Sequence, residues 1–202
     1  MEYTYLFPTI IASEKIRKFT EKEINVFNQS RLTSEGNVSN LTSNNKYILD
    51  TEGLEDLKKI ITMYCEKYYF DILKTKTAKP YITQSWLNWT GFKKFHHTHW
   101  HSNSIISGVL YIDVEENVDS ITFNSRNPKS MFRFNTFEES ETNSRKAQKT
   151  VCNNELLLFP SDLEHEVAVR ENDPKGERIS LSFNTFVKGK VGDAEGLTEL
   201  IL

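Results

Sequence analysis

Four of the five histidines fall in one run, Phe95-His96-His97-Thr98-His99-Trp100-His101-Ser102-Asn103-Ser104, and the fifth is His165. Neutral imidazole is a common ligand for divalent first-row metals. On an extended strand, positions i and i+2 point to the same side, which predicts one shared face for His97, His99 and His101. Two imidazoles on adjacent sites of one face can bind one metal, and a third ligand must then come from a distant strand. His165 follows the turn Pro160-Ser161-Asp162 and is placed to supply it. Such a set leaves coordination positions open, which dioxygen chemistry needs and a closed structural zinc site lacks. On spacing alone, the same run also fits a solvated loop, and His165 a satisfied surface residue.

Other chemistries find less support. Cys65 and Cys152 stand apart from each other and from the histidines, so a mixed Cys/His zinc site is excluded. No GxSxG elbow, P-loop or GxGxxG occurs. Trp86, Trp89 and Trp100 are candidates for a substrate groove, although aromatic residues in a barrel more often pack in its core.

The elements that must position these residues change character along the chain. Residues 3–7 read as a strand halted by Pro8. Thr20-Glu21-Lys22-Glu23 has capping-box form and predicts a short helix to about residue 29. Residues 33–46 are rich in Ser, Asn and Thr and read as a polar loop. From about residue 52 to 73, Leu54, Leu57, Ile60, Ile61, Tyr64, Cys65 and Tyr68 keep helical spacing. Beyond Pro80 short β-type runs dominate, at 81–89, 104–113, 120–124, 131–134, 150–152, 156–159, 166–169 and 178–187. Residues 172–176 read as a turn joining the last two runs. This pattern predicts one mainly β domain with N-terminal helices: 1–79 supporting elements, 80–190 a sandwich or barrel, and 191–202 a tail.

At 202 residues with 38% hydrophobic side chains, the chain has material for a real core. A net charge of −3 gives no sign of a nucleic-acid surface. No apolar run approaches the ~20 residues that span a bilayer, and the opening residues lack a signal-peptide pattern. With two unpaired cysteines, the expected location is the cytoplasm. An oligomer stays open.

The stretch from His99 to Tyr111 resembles a bacterial and phage family of 2-oxoglutarate/iron(II) oxygenases, in which an HxH pair is followed by a turn and a Ser-Gly-Val-Tyr-Tyr strand. Further blocks match in order: Leu6-Phe7-Pro8-Thr9, Gln84-Ser85-Trp86-Leu87-Asn88, Leu156-Leu157-Leu158-Phe159-Pro160 leading to His165, and Arg178-Ile179-Ser180-Leu181-Ser182-Phe183-Asn184. The resemblance implies a double-stranded β-helix, or jelly roll, similar to prolyl hydroxylases. It implies that His99, His101 and His165 hold iron(II), and that Arg178 binds the distal carboxylate of 2-oxoglutarate with help from Ser180, Tyr111 and Asn88. His97, Trp86, Asn103 and Asn184 would stand behind the ligands or line a substrate groove. A planar guanidinium suits a carboxylate, and Arg178 and Ser180 share a strand face.

The wider superfamily uses His-x-Asp…His, whereas position 101 here is His. Three imidazoles would leave iron(II) its full charge until 2-oxoglutarate binds; alternatively Asp162, Glu164 or Glu166 supplies a carboxylate. The expected activity is hydroxylation with dioxygen, with a peptidyl or prolyl substrate preferred by analogy alone. Two other classes stay open: a non-catalytic metal- or ligand-binding jelly roll, and a three-histidine dioxygenase that needs no 2-oxoglutarate.

Overall fold

The first helix is set by its cap. Thr20 Oγ1 accepts from the Glu23 N–H, and the Glu23 carboxylate accepts from the Thr20 N–H, opening α1 (Glu21–Leu32) as a capping box. Glu23 is buried because the Arg17 guanidinium forks onto it at 2.7 and 2.9 Å. α2 (Glu55–Asp71) needs no side-chain cap; it is held by an apolar stripe of Leu57, Ile61, Cys65 and Tyr68. The structure is a computed structural model that describes every residue except Tyr3, Tyr5, 127–134, 141–142 and 172–175.

The described strands are β1 (Ala12–Lys15), β2 (Glu35–Asn37), β3 (Asn40–Thr42), β4 (Ala78–Thr90), β5 (His96–His99), β6 (Ile106–Asp113), β7 (Ser120–Asn124), β8 (Lys146–Thr150), β9 (Glu155–Pro160), β10 (His165–Val167), β11 (Arg178–Val191) and β12 (Leu200–Ile201). The larger sheet runs β1-β9-β6-β11-β4-β3-β2, with β12 paired to the end of β11; the smaller runs β5-β10-β7-β8. Every ladder is antiparallel.

Alternation along the larger sheet sorts its side chains into two layers. One face sends Leu87, Trp89, Leu110, Leu156, Leu181 and Phe183 onto α2 and α1. The other turns toward the smaller sheet, where Val109, Tyr111, Leu157 and Phe159 bury against Ile121 and Phe123. On β4 and β11 this inward face is polar instead: Trp86, Asn88 and Thr90, with Arg178, Ser180 and Ser182. A polar patch inside an otherwise apolar sandwich marks where a ligand belongs.

Several sequence expectations give way here. Residues 33–46 contain the β2–β3 hairpin, which extends the sheet beside β4 through Leu41↔Trp89 and Thr42↔Asn88; pairing, rather than composition, decides those few residues. β8 ends where a strand was expected to start at residue 150, because Lys146 to Thr150 pair with β7. Thr4, Leu6 and Phe7 form no strand, and Tyr3 and Tyr5 lie outside the described residues. The expected strand 131–134 also lies outside them, as do residues 172–175 of the expected turn. The tail is not wholly frayed: Leu200–Ile201 pairs with Lys190 and Val191.

Candidate functional site

His99 ends β5 and lies directly opposite His165 on β10. His101 stands beyond the strand, its backbone N–H donating to the Ser161 carbonyl at 2.9 Å. One ligand nitrogen from each of the three rings can be chosen so that all lie within 4.8 Å of one another. The ring centroids are 4.3 Å apart for His99–His165, 5.2 Å for His101–His165 and 5.0 Å for His99–His101. Nδ1 of His99 lies 2.7 Å from the His97 carbonyl and Nδ1 of His165 lies 2.9 Å from the Leu163 carbonyl. A carbonyl only accepts, so each Nδ1 carries the proton and donates, leaving Nε2 with a free lone pair. Burial holds His101 down to about 3 and His165 to about 4, and nearby imidazoles add to the effect; His99 is lowered too. All three are neutral near pH 7, the form that ligates.

The strand face does not follow simple alternation. His99 is matched to His165 and His96 to Val167, so three steps along β5 correspond to two along β10. That bulge turns His96 onto the ligand side, where its ring stacks on His99 at 4.5 Å and 19°. His96, not the expected His97, lines the cavity, and His97 Nδ1 is buried without a partner. The two-for-one step is a property of the ladder and leaves no mark in residue type.

Two more of the candidate residues lie outside the cavity lining. Asn103 sits exposed in the turn after His101, at φ 54°, away from the cavity lining. Asn184 lies outside the lining as well; its Oδ1 accepts from Ser107 Oγ, which joins Ser161 and Ser104 in a hydroxyl chain under the loop that carries His101. Among the tryptophans Trp86 lines the cavity, 5.9 Å from His101; Trp89 is buried on the helix side under Arg31, and Trp100 is exposed.

No carboxylate joins the histidine cluster among the described residues. Asp162 is paired with Arg126, Glu166 is engaged by Lys146 and Thr98, and Glu164 is exposed.

Ser180 and Asn88 line the cavity and continue a row across three strands, Tyr111↔Ser180↔Asn88, whose third member Tyr111 is fully buried. Asn88 donates to Ser182 Oγ at 3.0 Å. Arg178 is 3% exposed, and its guanidinium lies 5.1 Å above the centre of the Tyr111 ring. It donates to the Ser120 carbonyl at 3.3 Å, and no carboxylate of the described residues pairs with it. Both Arg178 Nε and Tyr111 Oη are buried without a partner. Burial pushes the Tyr111 phenol up to about 12. A buried cation beside an unsatisfied hydroxyl has the chemistry of an anion pocket, since each orphaned donor costs roughly 1–3 kcal/mol.

The sequence matches the family model described as "Putative 2OG-Fe(II) oxygenase" over residues 84–184, half of the chain. The chain belongs to this oxygenase family. It is an iron- and 2-oxoglutarate-dependent oxygenase, with dioxygen as co-substrate. No curated protein matches the sequence. Many solved structures share its fold, and three of them illustrate the likeness. A 2OG-Fe(II) oxygenase family oxidoreductase from Burkholderia pseudomallei is 10% identical at TM-score 0.54, covering 83% of this chain and 79% of that one. HygX from Streptomyces hygroscopicus, solved with nickel, 2-oxoglutarate and hygromycin B, is 12% identical at TM-score 0.56, covering 88% and 82%. A Pseudomonas putida prolyl-4-hydroxylase is 11% identical at TM-score 0.54, covering 87% and 92%. At these identities the likeness speaks for the jelly-roll fold. No helix of the oxygenase among the described residues is long and apolar enough to cross a membrane.

Proposed function

We propose that the oxygenase holds iron(II) on His99, His101 and His165 and binds the distal carboxylate of 2-oxoglutarate at Arg178, to hydroxylate a C–H bond of a peptidyl substrate. The observation that carries the reading is the pairing of three convergent neutral imidazoles with a buried arginine whose Nε has no partner, both on one cavity. With iron(II) and 2-oxoglutarate bound, dioxygen oxidises the substrate C–H while the co-substrate is decarboxylated to succinate.

The chain's own residues supply position and environment. The His97 and Leu163 carbonyls fix the ring orientation of His99 and His165 by accepting from Nδ1. Arg178 neutralises the distal carboxylate, and Ser180 and Tyr111 stand beside it as hydroxyl donors. Asn88 holds Ser182 on the same polar face. Phe159 packs against His165 at 4.7 Å between centroids and keeps water from that side. Because the three ligands are neutral, the co-substrate brings the negative charge that balances the ion.

The peptidyl substrate class rests on the likeness to the prolyl-4-hydroxylase, 92% of whose length is covered. Two free cysteines, one of them buried, favour the reducing cytoplasm as the place of action.

Anaerobic titration tests the reading. A weak visible charge-transfer band should appear only when iron(II) and 2-oxoglutarate are both present, and should vanish in His165→Ala. A band that survives that change, or none in the parent, would overturn it.

A further inference from the structure

Arg170 lies where β4 ends and β7 and β11 begin, with its side chain 8% exposed. Nε and Nη2 fork onto the Asp119 carboxylate at 3.0 and 3.1 Å, and Nη1 donates to the carbonyls of Thr90 at 3.0 Å and Gly176 at 2.8 Å. The Asp119 side chain is 3% exposed and also accepts from the Glu115 N–H at 2.9 Å. Attraction within such a buried pair roughly repays its desolvation, so net stability alone is a weak account of it. What it supplies is geometry.

Three partners of Arg170, at 90, 119 and 176, all adjoin Arg178. Thr90 is its ladder partner across β4 and β11, and Gly176 lies two residues ahead of it. Asp119 precedes Ser120, whose carbonyl accepts the hydrogen bond from Arg178. Neither Arg170 nor Asp119 lines the cavity. Any effect on a ligand there must therefore pass through a neighbour.

We infer that the Arg170–Asp119 pair is a positioning device that sets where the Arg178 guanidinium points, and so sets the affinity for the distal carboxylate of 2-oxoglutarate. The inference rests on the reading of Arg178 as that carboxylate's partner. A planar fork meets a carboxylate well in few orientations, so a small shift of the strand end loosens the grip without emptying the cavity.

The test uses the full chain, loaded anaerobically with iron(II), and the variants Arg170→Met, Asp119→Asn and Arg178→Ala. Affinities are compared for 2-oxoglutarate and for 2-oxopentanoate, which has the same carbon chain without the distal carboxylate. Each change to the pair should weaken 2-oxoglutarate about tenfold while leaving 2-oxopentanoate and iron(II) binding as in the parent. Arg170→Lys should restore part of the loss. Should Arg170→Met fail to fold, the near-isosteric Asp119→Asn decides. A preference for 2-oxoglutarate equal to the parent's in the pair variants, while Arg178→Ala loses it, overturns the inference. Loss of both ligands in parallel overturns it too, because the pair would then be supporting the fold alone. A preference that survives Arg178→Ala shows instead that the reading of Arg178 has failed, and the inference falls with it.

Discussion

His99 and His165 are directly opposed across the β5–β10 ladder, and each donates Nδ1–H to the carbonyl two residues before it. The same local device thus sets both rings, from strands far apart in sequence. A metal held by both and by His101 should show three nitrogen ligands at about 2.0–2.2 Å in X-ray absorption. His99→Ala and His165→Ala should each weaken iron(II) binding by tenfold or more, roughly the scale seen when metal sites lose a supporting group. Parent-like affinity in either variant would remove that residue from the set.

Arg178→Ala should abolish tight 2-oxoglutarate binding, on the order of 2–5 kcal/mol, and leave iron(II) binding nearly intact. Arg178→Lys should recover little, because an ammonium cannot reproduce the two-point contact or the stacking on Tyr111. Calorimetry on the metal-loaded variants separates the two effects. Unchanged co-substrate affinity would defeat the assignment.

Gly108 faces Phe183 across the β6–β11 ladder, and the Phe183 ring covers it. A Cβ at residue 108 would meet Phe183 Cζ at 2.2 Å, so the ring or the strand must move. Gly108→Ala should destabilise the protein by about 1–3 kcal/mol, the usual cost of overpacking a filled core. The double variant with Phe183→Leu should recover part of that. Denaturant midpoints at constant m-value measure both.

Buried imidazoles make the metal-free protein sensitive to acid. Burial first, and neighbouring charges next, hold His96 and His101 down to about 3 and His165 to about 4, below the ordinary 6.5. The unfolded chain takes up protons below about pH 6.5 that the native state refuses, so the unfolded state gains as the pH falls. The stability tied to these rings is complete above about pH 6.5 and is lost progressively toward pH 3 to 4. Thermal midpoints should fall across that window, and His96→Phe, which keeps a ring in place without titrating, should fall less steeply. Equal slopes in the two proteins would count against the buried-neutral state of His96.

How much of this could be read in the residues differs from element to element. The capping box at Thr20 and the apolar stripe of α2 are written locally and match the structure closely. Arg178 and Ser180 share a face because β11 keeps its alternation through that stretch. His96 was legible only as a neighbour, since its place on the ligand face depends on a bulge defined by pairing with β10. Likewise, Arg170 gives no local signal: three of its partners, at 90, 119 and 176, are brought together by the barrel. The β2–β3 hairpin is hidden for a similar reason, because polar residues at a sheet edge keep one side in water.

The sharpest test concerns His101, where the commoner triad has Asp. Its backbone N–H donates to the Ser161 carbonyl, but among the described residues no hydrogen bond fixes its ring, unlike those of His99 and His165. An Asp there would bring a negative charge to an ion otherwise met by neutral ligands, so iron(II) affinity should hold or rise where the shorter side chain reaches. His101→Ala should lower it, because water replaces a nitrogen donor. Surroundings shaped for imidazole, with Trp86 at 5.9 Å, should misorient the carboxylate, so turnover should fall even where metal is kept. Iron(II) affinity and turnover are measured side by side in the two variants. If Ala and Asp both bind iron as the parent does, His101 is not a ligand, and the set must be completed by another group on the cavity, of which His96 and Glu166 are the nearest in kind.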